Sequence, residues 1–388
     1  MIGLVMIGLT NLPYKPVHNQ AGDLLLDVPT ACLRTTNTVS RAVAQRLPRG
    51  ITVHGLLAAD LALAAPRDTA RYAPWNAVCP APADFATVPL LWPPELQALL
   101  PRPARELLAK QRDKFDRDWA DVAAAYRDVL DADEDEGGDG GGEGQASLKD
   151  RYRHAWLLVN TRTFYYVSSR LRRKVRASDT DNCMCLQPVA DLFNHDDGEA
   201  GGCNVAFDGA GFSVRAERAY DAGDEVRISY GRHPGDMLLV EYGFSLDDNR
   251  WDEVGLDDVL LPRLTRRQSD ALADAGFLGR YVLDRDGVCH RTQVAVRRLC
   301  CAVGEWRRFA DGVDDGAASQ GMVDKLLLEI LGGYRDKIEE TVRRVEGLAG
   351  VAEPEQRAVL AQRWRQIRAL VTSNITRLQD GMDGVIAS

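Results

Sequence analysis

The sequence contains no apolar run approaching the roughly 18 residues that a bilayer span needs. Its opening residues Met1–Leu12 carry neither a basic n-region nor a small-residue cleavage signal. Membrane and secretory classes are set aside on these grounds, and an intracellular protein, cytoplasmic or nuclear, is expected. Cysteine is sparse, with eight in 388 residues and no two CxxC pairs at zinc-finger spacing, which argues against a disulfide scaffold. Cys183, Cys185, His195 and Cys203 lie close enough in sequence to picture a metal site, but reduced structural thiols are the simpler expectation, and no metal is expected. Positive charge is also in deficit: 48 Lys and Arg against 57 Asp and Glu give a net charge of -9. A general nucleic-acid binder with a basic footprint is therefore disfavoured, and a basic protein partner fits better. The Gly-x-Gly-x-x-Gly fingerprint of the doubly wound nucleotide-binding sheet is absent as well.

What is present is a 45% apolar chain, long enough for two domains or for one large domain with an insertion. The segment Asp131–Ser147 holds seven acidic residues and many glycines, with nothing to anchor a core, and reads as a disordered loop. It interrupts a helical region. Helical periodicity precedes it over His54–Ala64 and Pro103–Leu130, and Tyr152–Phe164 follows it. From Leu186 to Phe244 the pattern turns to short segments separated by Gly and Asp, and Asn204–Phe207, Gly211–Ala216 and Glu225–Tyr230 read as strands. In the last of these, Val226, Ile228 and Tyr230 share one face, which places a phenol on the buried side in need of a partner. Beyond Asn249 two helical stripes appear, Leu327 to Val345 and Leu360 to Leu378, with Pro354 placed to begin the second helix.

The densest polar constellation is Pro188–Asp196 (PVADLFNHD), followed by Gly223–Gly231 (GDEVRISYG) and by Glu241-Tyr242-Gly243-Phe244. An Asn-His pair, a strand ending Ser-Tyr-Gly and a Tyr-Gly-Phe about a dozen residues later together resemble the SET-domain family. The likeness is to the subgroup of the Rubisco large-subunit methyltransferase and the fungal ribosomal-protein lysine methyltransferases. It extends outward to Gly22–Pro29, Pro74-Trp75, Trp92–Leu100, Asn160–Phe164, Gly276–Gly279 and Arg291–Arg297.

The resemblance implies an α+β fold: a SET domain of small curved β-sheets over residues 1–250, carrying an inserted helical subdomain at about 50–160, then an all-helical substrate-binding domain over 251–388. A knot-like crossing near Asn194, His195 and Tyr230 is part of that expectation. The implied activity is methyl transfer from S-adenosylmethionine to a lysine nitrogen of a protein, with a ribosomal protein the favoured substrate. Tyr230 is the implied catalytic residue. Gly3, as the remaining glycine of a cofactor-cradling turn, with Arg162, Asp191, Asn194, His195, Tyr242, Gly243 and Phe244, is implied to bind the cofactor, and Tyr230, Tyr242 and Phe244 to line the substrate channel.

Elementary chemistry accommodates these roles. Methyl transfer from a sulfonium asks for alignment, exclusion of water and electron-rich groups around the methyl, with no metal or covalent nucleophile. Asn194 offers both a donor and an acceptor, and Arg162 a fork suited to a carboxylate. Aromatic walls at Tyr242 and Phe244 would receive a cationic amine and help it lose its proton. Two alternatives remain open at this point, a protein-histidine methyltransferase and a catalytically weak SET-fold binding module. The basic run Arg170–Arg176 reads as a solvated surface.

Overall fold

In a computed structural model of the chain, residues 19–65, 70–136, 146–167, 183–198, 202–207 and 209–386 are described. The chain divides into two compact units, Met1–Phe85 with Lys110–Arg232, and Ala86–Ala109 with His233–Ser388.

The first unit is built on short strands. These are β1 (Leu24–Pro29), β2 (Thr163–Tyr165), β3 (Met184–Leu186), β4 (Asn194–His195), β5 (Cys203–Phe207), β6 (Gly211–Ala216) and β7 (Arg227–Ile228). Five of them form one sheet in the order β1-β6-β5-β7-β4. Strands β5 and β6 are antiparallel, with Val205 opposite Val214 and Phe207 opposite Phe212, so branched and aromatic residues face their like across the ladder. At the far edge β4 and β7 run parallel, with Asn194 opposite Arg227 and His195 opposite Ile228. The strand expected over Glu225–Tyr230 contracts to Arg227–Ile228, yet Ile228 is buried and Val226 and Tyr230 pack partly buried in the same cluster, the alternation read from the sequence.

Strands β2 and β3 form a separate antiparallel hairpin, which Arg34 extends through an isolated bridge to Leu186. The helix preceding β2, Leu148–Arg162, starts at Ser147, whose hydroxyl accepts the Asp150 N–H. It stops two residues short of the expected Phe164. β-branched Thr163 and aromatic Phe164 instead pair with Leu186 and Cys185, where such side chains pack better than on a helix.

The expected disordered loop over Asp131–Ser147 needs correction at both ends. The helix Arg127–Glu136 continues into it, while Ser147 caps the next helix. Residues 137–145, the Arg170–Arg176 run and Gly3 lie outside the described residues. The helical segment 103–130 is likewise two helices, Arg102–Ala125 and Arg127–Glu136, interrupted at Tyr126.

The helix Val53–Leu63 meets Leu148–Arg162 inside the first unit. His54 stacks on Trp156 with ring centroids 4.2 Å apart, and its Nε2 lies 3.0 Å from the Trp156 carbonyl oxygen. Burial above all holds this imidazole down at about 3, so it is neutral. Asp118 receives the Trp156 indole N–H at 3.0 Å and the Thr52 hydroxyl at 2.7 Å, which gives a buried carboxylate hydrogen-bonded partners.

The second unit is dominated by the helices Gln320–Glu346 and Pro354–Ile386, and Pro354 is the first residue of its helix as expected. Leu327, Leu331, Tyr334, Ile338 and Val345 share one core with Leu360, Trp364, Ile367, Val371 and Ile375. Trp92, Leu96, Leu99 and Leu100 join that same core, and the Trp364 indole donates to the Leu99 carbonyl at 2.8 Å. Strands β8 (Glu253–Gly255) and β9 (Val282–Asp284) pair antiparallel beside it. Among the described residues no helix is long and apolar enough to cross a membrane, and no group of three or more His, Cys, Asp or Glu is placed to hold a metal.

Candidate functional site

The polar constellation of the first unit is assembled on Asp191. This residue sits in a single 3-10 turn, Ala190–Leu192, entered through Val189 at φ 82° and ψ -48°. A β-branched residue there is under backbone strain, of the kind that persists only where the surroundings fix it. The surroundings are specific. The Trp75 indole N–H lies 3.0 and 2.9 Å from the two Asp191 carboxylate oxygens, and Arg162 Nη1 donates to the Asp191 carbonyl at 2.6 Å while standing 3.6 Å from Oδ2. Burial pushes the Asp191 carboxyl up to about 6, against the opposing pull of Arg162 and the Trp75 hydrogen bond. Burial likewise pushes the Cys79 thiol up to about 12, with Asp191 adding to the shift.

Trp75 is itself anchored by Arg34, a residue that sequence reasoning passed over. The Arg34 guanidinium lies over the Tyr72 and Trp75 rings, 4.6 and 5.4 Å from their centroids, and bridges to Asp60 at 2.8 Å. Asp60 comes from the helix Val53–Leu63, and Arg34 from the strand-like bridge to Leu186. The inserted helices thus brace the Asp191 turn through Asp60, Arg34 and Trp75. Arg34 and Asp60 carry no motif signature; the burial of the Arg34 guanidinium is what marks them. At the end of the β2–β3 hairpin, next beyond the Thr163–Leu186 pair, stand Arg162 and Gln187. The Arg162 Nε and both amide atoms of fully buried Gln187 have no hydrogen-bond partner among the described residues.

The parallel β4–β7 pairing brings Asn194 and His195 to Tyr230. The His195 ring stacks on the Tyr230 ring at 5.1 Å, and its Nδ1 accepts the Tyr230 backbone N–H at 3.1 Å, so a neutral imidazole carries its proton on Nε2. The Tyr230 hydroxyl donates to the Phe193 carbonyl at 2.6 Å. Its one proton is committed there, and its oxygen can act further only as an acceptor. Asn194 donates its amide to Glu225 Oε1 at 2.6 Å, and Glu225 is held in turn by Arg227 at 2.6 Å.

Tyr242, Gly243 and Phe244 belong to the second unit. A π-helical turn, Leu238–Tyr242, ends at Gly243 in the left-handed conformation, φ 80°, which returns its N–H to Leu238 and Leu239. A Cβ on Gly243 would stand 2.8 Å from Val88 Cγ2, so backbone conformation and a close approach both call for glycine here. Tyr242 lies 6.0 Å from the Phe244 ring and 6.2 Å from that of His233. Burial, then Glu241, pushes the Tyr242 phenol up to about 12. Of the expected residues, Arg162 and Asp191 form one cluster, Asn194, His195 and Tyr230 a second in the same unit, and Tyr242, Gly243 and Phe244 a third in the other unit.

No protein-family model matches the chain. Among characterised proteins it is similar to a ribosomal lysine N-methyltransferase, set11, of Schizosaccharomyces pombe, 28% identical over 210 residues, which is 51% of this chain and 52% of that protein. It is also similar to SET domain-containing protein 4 of Mus musculus, 28% identical over 295 residues, covering 72% of this chain and 64% of the relative. The chain thus spans about half to two thirds of the length of these relatives. Among solved structures, Rubisco LSMT bound to AdoMet superposes with a TM-score of 0.56 at 13% identity, covering 94% of this chain and 83% of that one. The SET-domain resemblance read from the sequence is borne out, and so is the α+β architecture of small sheets with a long helical C-terminal region.

Proposed function

We propose that this SET-fold chain is an S-adenosylmethionine-dependent methyltransferase acting on a lysine side-chain nitrogen of a protein substrate. The observation that carries the reading is the fixed orientation of Tyr230, whose hydroxyl is held by Phe193 and whose ring is stacked on His195. The names of the relatives, ribosomal lysine N-methyltransferases in Schizosaccharomyces pombe and Saccharomyces cerevisiae, favour lysine over histidine and a ribosomal protein as target. Cytoplasm or nucleus would be the place of action.

The residues present fit the cofactor. Its amino-acid end needs a cation and polar partners, and Arg162 Nε with the Gln187 amide are buried polar atoms awaiting such partners beside Asp191. Asn194 and His195 join Arg162 and Asp191 in the proposed binding set, to which Gly3, Tyr242, Gly243 and Phe244 also belong. When bound, the cofactor supplies an electrophilic methyl on a sulfonium centre. The Tyr230 oxygen, restricted to accepting, can hold a polarised methyl through C–H contacts worth about 0.5–1 kcal/mol each. Tyr242 stays a neutral phenol at physiological pH, so it and Phe244 serve as an aromatic lining for the amine rather than as a base. The helices from 251 onward would present the substrate.

Incubating the protein with radiolabelled S-adenosylmethionine and a cytosolic plus ribosomal extract, then locating the label by mass spectrometry, tests the proposal. Label on lysine of a ribosomal protein is the expected result. Label on histidine, or no label with cofactor still bound, would replace it with one of the two alternatives.

A further inference from the structure

The stretch of the second unit that carries Tyr242, Gly243 and Phe244 is fastened at both ends to one turn of the helix Pro354–Ile386. Arg363 is completely buried, with Nε 2.8 Å from Asp236 Oδ1, Nη1 2.7 Å from Asp252 Oδ2 and Nη2 3.1 Å from the Glu253 carbonyl. The second Asp252 oxygen accepts the backbone N–H groups of Gly235 and Glu253, both at 2.9 Å. On the same turn Gln362 donates to Asp247 at 3.0 Å and Gln366 donates to the Leu246 carbonyl. Gly235 leaves no room for a side chain, since a Cβ would stand 2.6 Å from Arg363 Nη1. Three consecutive contact points, at 236, at 246–247 and at 252–253, therefore bracket the aromatic pair.

A buried ion cluster contributes little net stability compared with well-packed apolar side chains, but a planar fork satisfies two carboxylates and a carbonyl in one placement only. That directional demand falls on the segment bearing Tyr242 and Phe244. We infer that Gln362, Arg363 and Gln366 are positioning residues for methyl transfer, setting from the C-terminal helix where Tyr242 and Phe244 stand. The inference rests on the reading of that pair as the lining of the amine channel. It makes the C-terminal helix act on the transfer step and on how many methyl groups are accepted, besides any part in capturing substrate.

The Gln362→Ala/Gln366→Ala double variant of the full chain tests this, because Arg363→Met would leave two buried carboxylates uncompensated and risk unfolding. Backbone amide exchange over residues 238–246 should quicken about tenfold or more, while exchange over 254–283 stays at the wild-type rate. With substrate, kcat should fall about fivefold or more at a KM within about twofold of wild type, and the ratio of singly to multiply methylated lysine should shift. Unchanged exchange over 238–246 overturns the clamp. Faster exchange with unaltered kcat and product ratio overturns its part in the transfer. A wild-type protein that methylates nothing in the extract counts against the functional proposal instead, and the exchange measurement still decides the clamp.

Discussion

Trp75 holds the buried carboxylate of Asp191 by both oxygens, at 3.0 and 2.9 Å, through a single indole N–H. That carboxyl is raised to about 6 in the folded chain, above its unfolded value. A raised acid contributes stability that is complete below the unfolded pKa of about 3.9 and is lost as pH rises through about 6. Asp191→Asn mimics the neutral carboxyl at every pH. Its stability relative to wild type should therefore improve by on the order of 3 kcal/mol between pH 4 and pH 7, about two pKa units of linkage. Urea unfolding at the two pH values measures the difference. An offset that is the same at both would mean that Asp191 ionises as freely in the fold as in water.

Tyr230→Phe removes the hydroxyl but keeps the ring on His195, so binding of the cofactor should stay near wild type while turnover falls tenfold or more, about 1.4 kcal/mol of barrier. Calorimetric titration and steady-state kinetics separate the two effects. Wild-type turnover would remove the phenol from the transfer step.

Much of this arrangement was legible in the chain. Gly211–Ala216 alternates large apolar and polar side chains and forms β6 over those same residues, and Pro354 opens the last helix because a residue without an N–H is tolerated there. The resemblance implies that Asn194 and His195 lie near Tyr230, and the two-residue β4–β7 pairing just ahead of Tyr230 sets the His195 ring against the Tyr230 ring. What the sequence hid was long-range. Asp60 and Arg34 have no periodic or motif relation to Asp191, and the likeness at Pro74-Trp75 does not tell which group the indole meets, because a salt bridge and an indole hydrogen bond leave no spacing signature. The packing of Trp92–Leu100 with the C-terminal helices is hidden for the same reason, since an apolar run tells that it is buried but not against what. The strain at Val189 runs against local preference and could be found only in three dimensions.

Gly243→Ala forces a side chain into the left-handed region and against Val88, so a loss of at least about 1–2 kcal/mol is expected from the backbone alone. Thermal unfolding should report a melting temperature lower by several degrees. Adding Val88→Ala in the same chain should recover the steric part and leave the backbone part, a coupling that a double-mutant cycle isolates. Simple additivity of the two changes would show that Gly243 does not approach Val88 in solution.

The exposed carboxylates of the helix Gln320–Glu346, interspersed with Lys337, Arg343 and Arg344, offer the last test, of how a basic substrate is captured. Glu339 and Glu340 are exposed and carry no ion pair among the described residues, whereas Glu346 faces Arg365 at 3.3 Å. Reversing Glu346 would therefore change two charges' surroundings at once, and Glu339→Lys and Glu340→Lys are the cleaner variants. If the C-terminal helices draw in a basic protein, each reversal should raise KM by severalfold while kcat and cofactor affinity hold near wild type, because a charge at the rim changes encounter more than chemistry. The effect should shrink as salt rises, since exposed charges are screened beyond about 10 Å at 0.1 M ionic strength. The Gln362→Ala/Gln366→Ala variant should show the opposite split, with kcat altered and KM held, although its residues lie in the same unit. A KM that ignores both reversals, measured with the natural substrate at low salt, would take substrate capture away from these carboxylates.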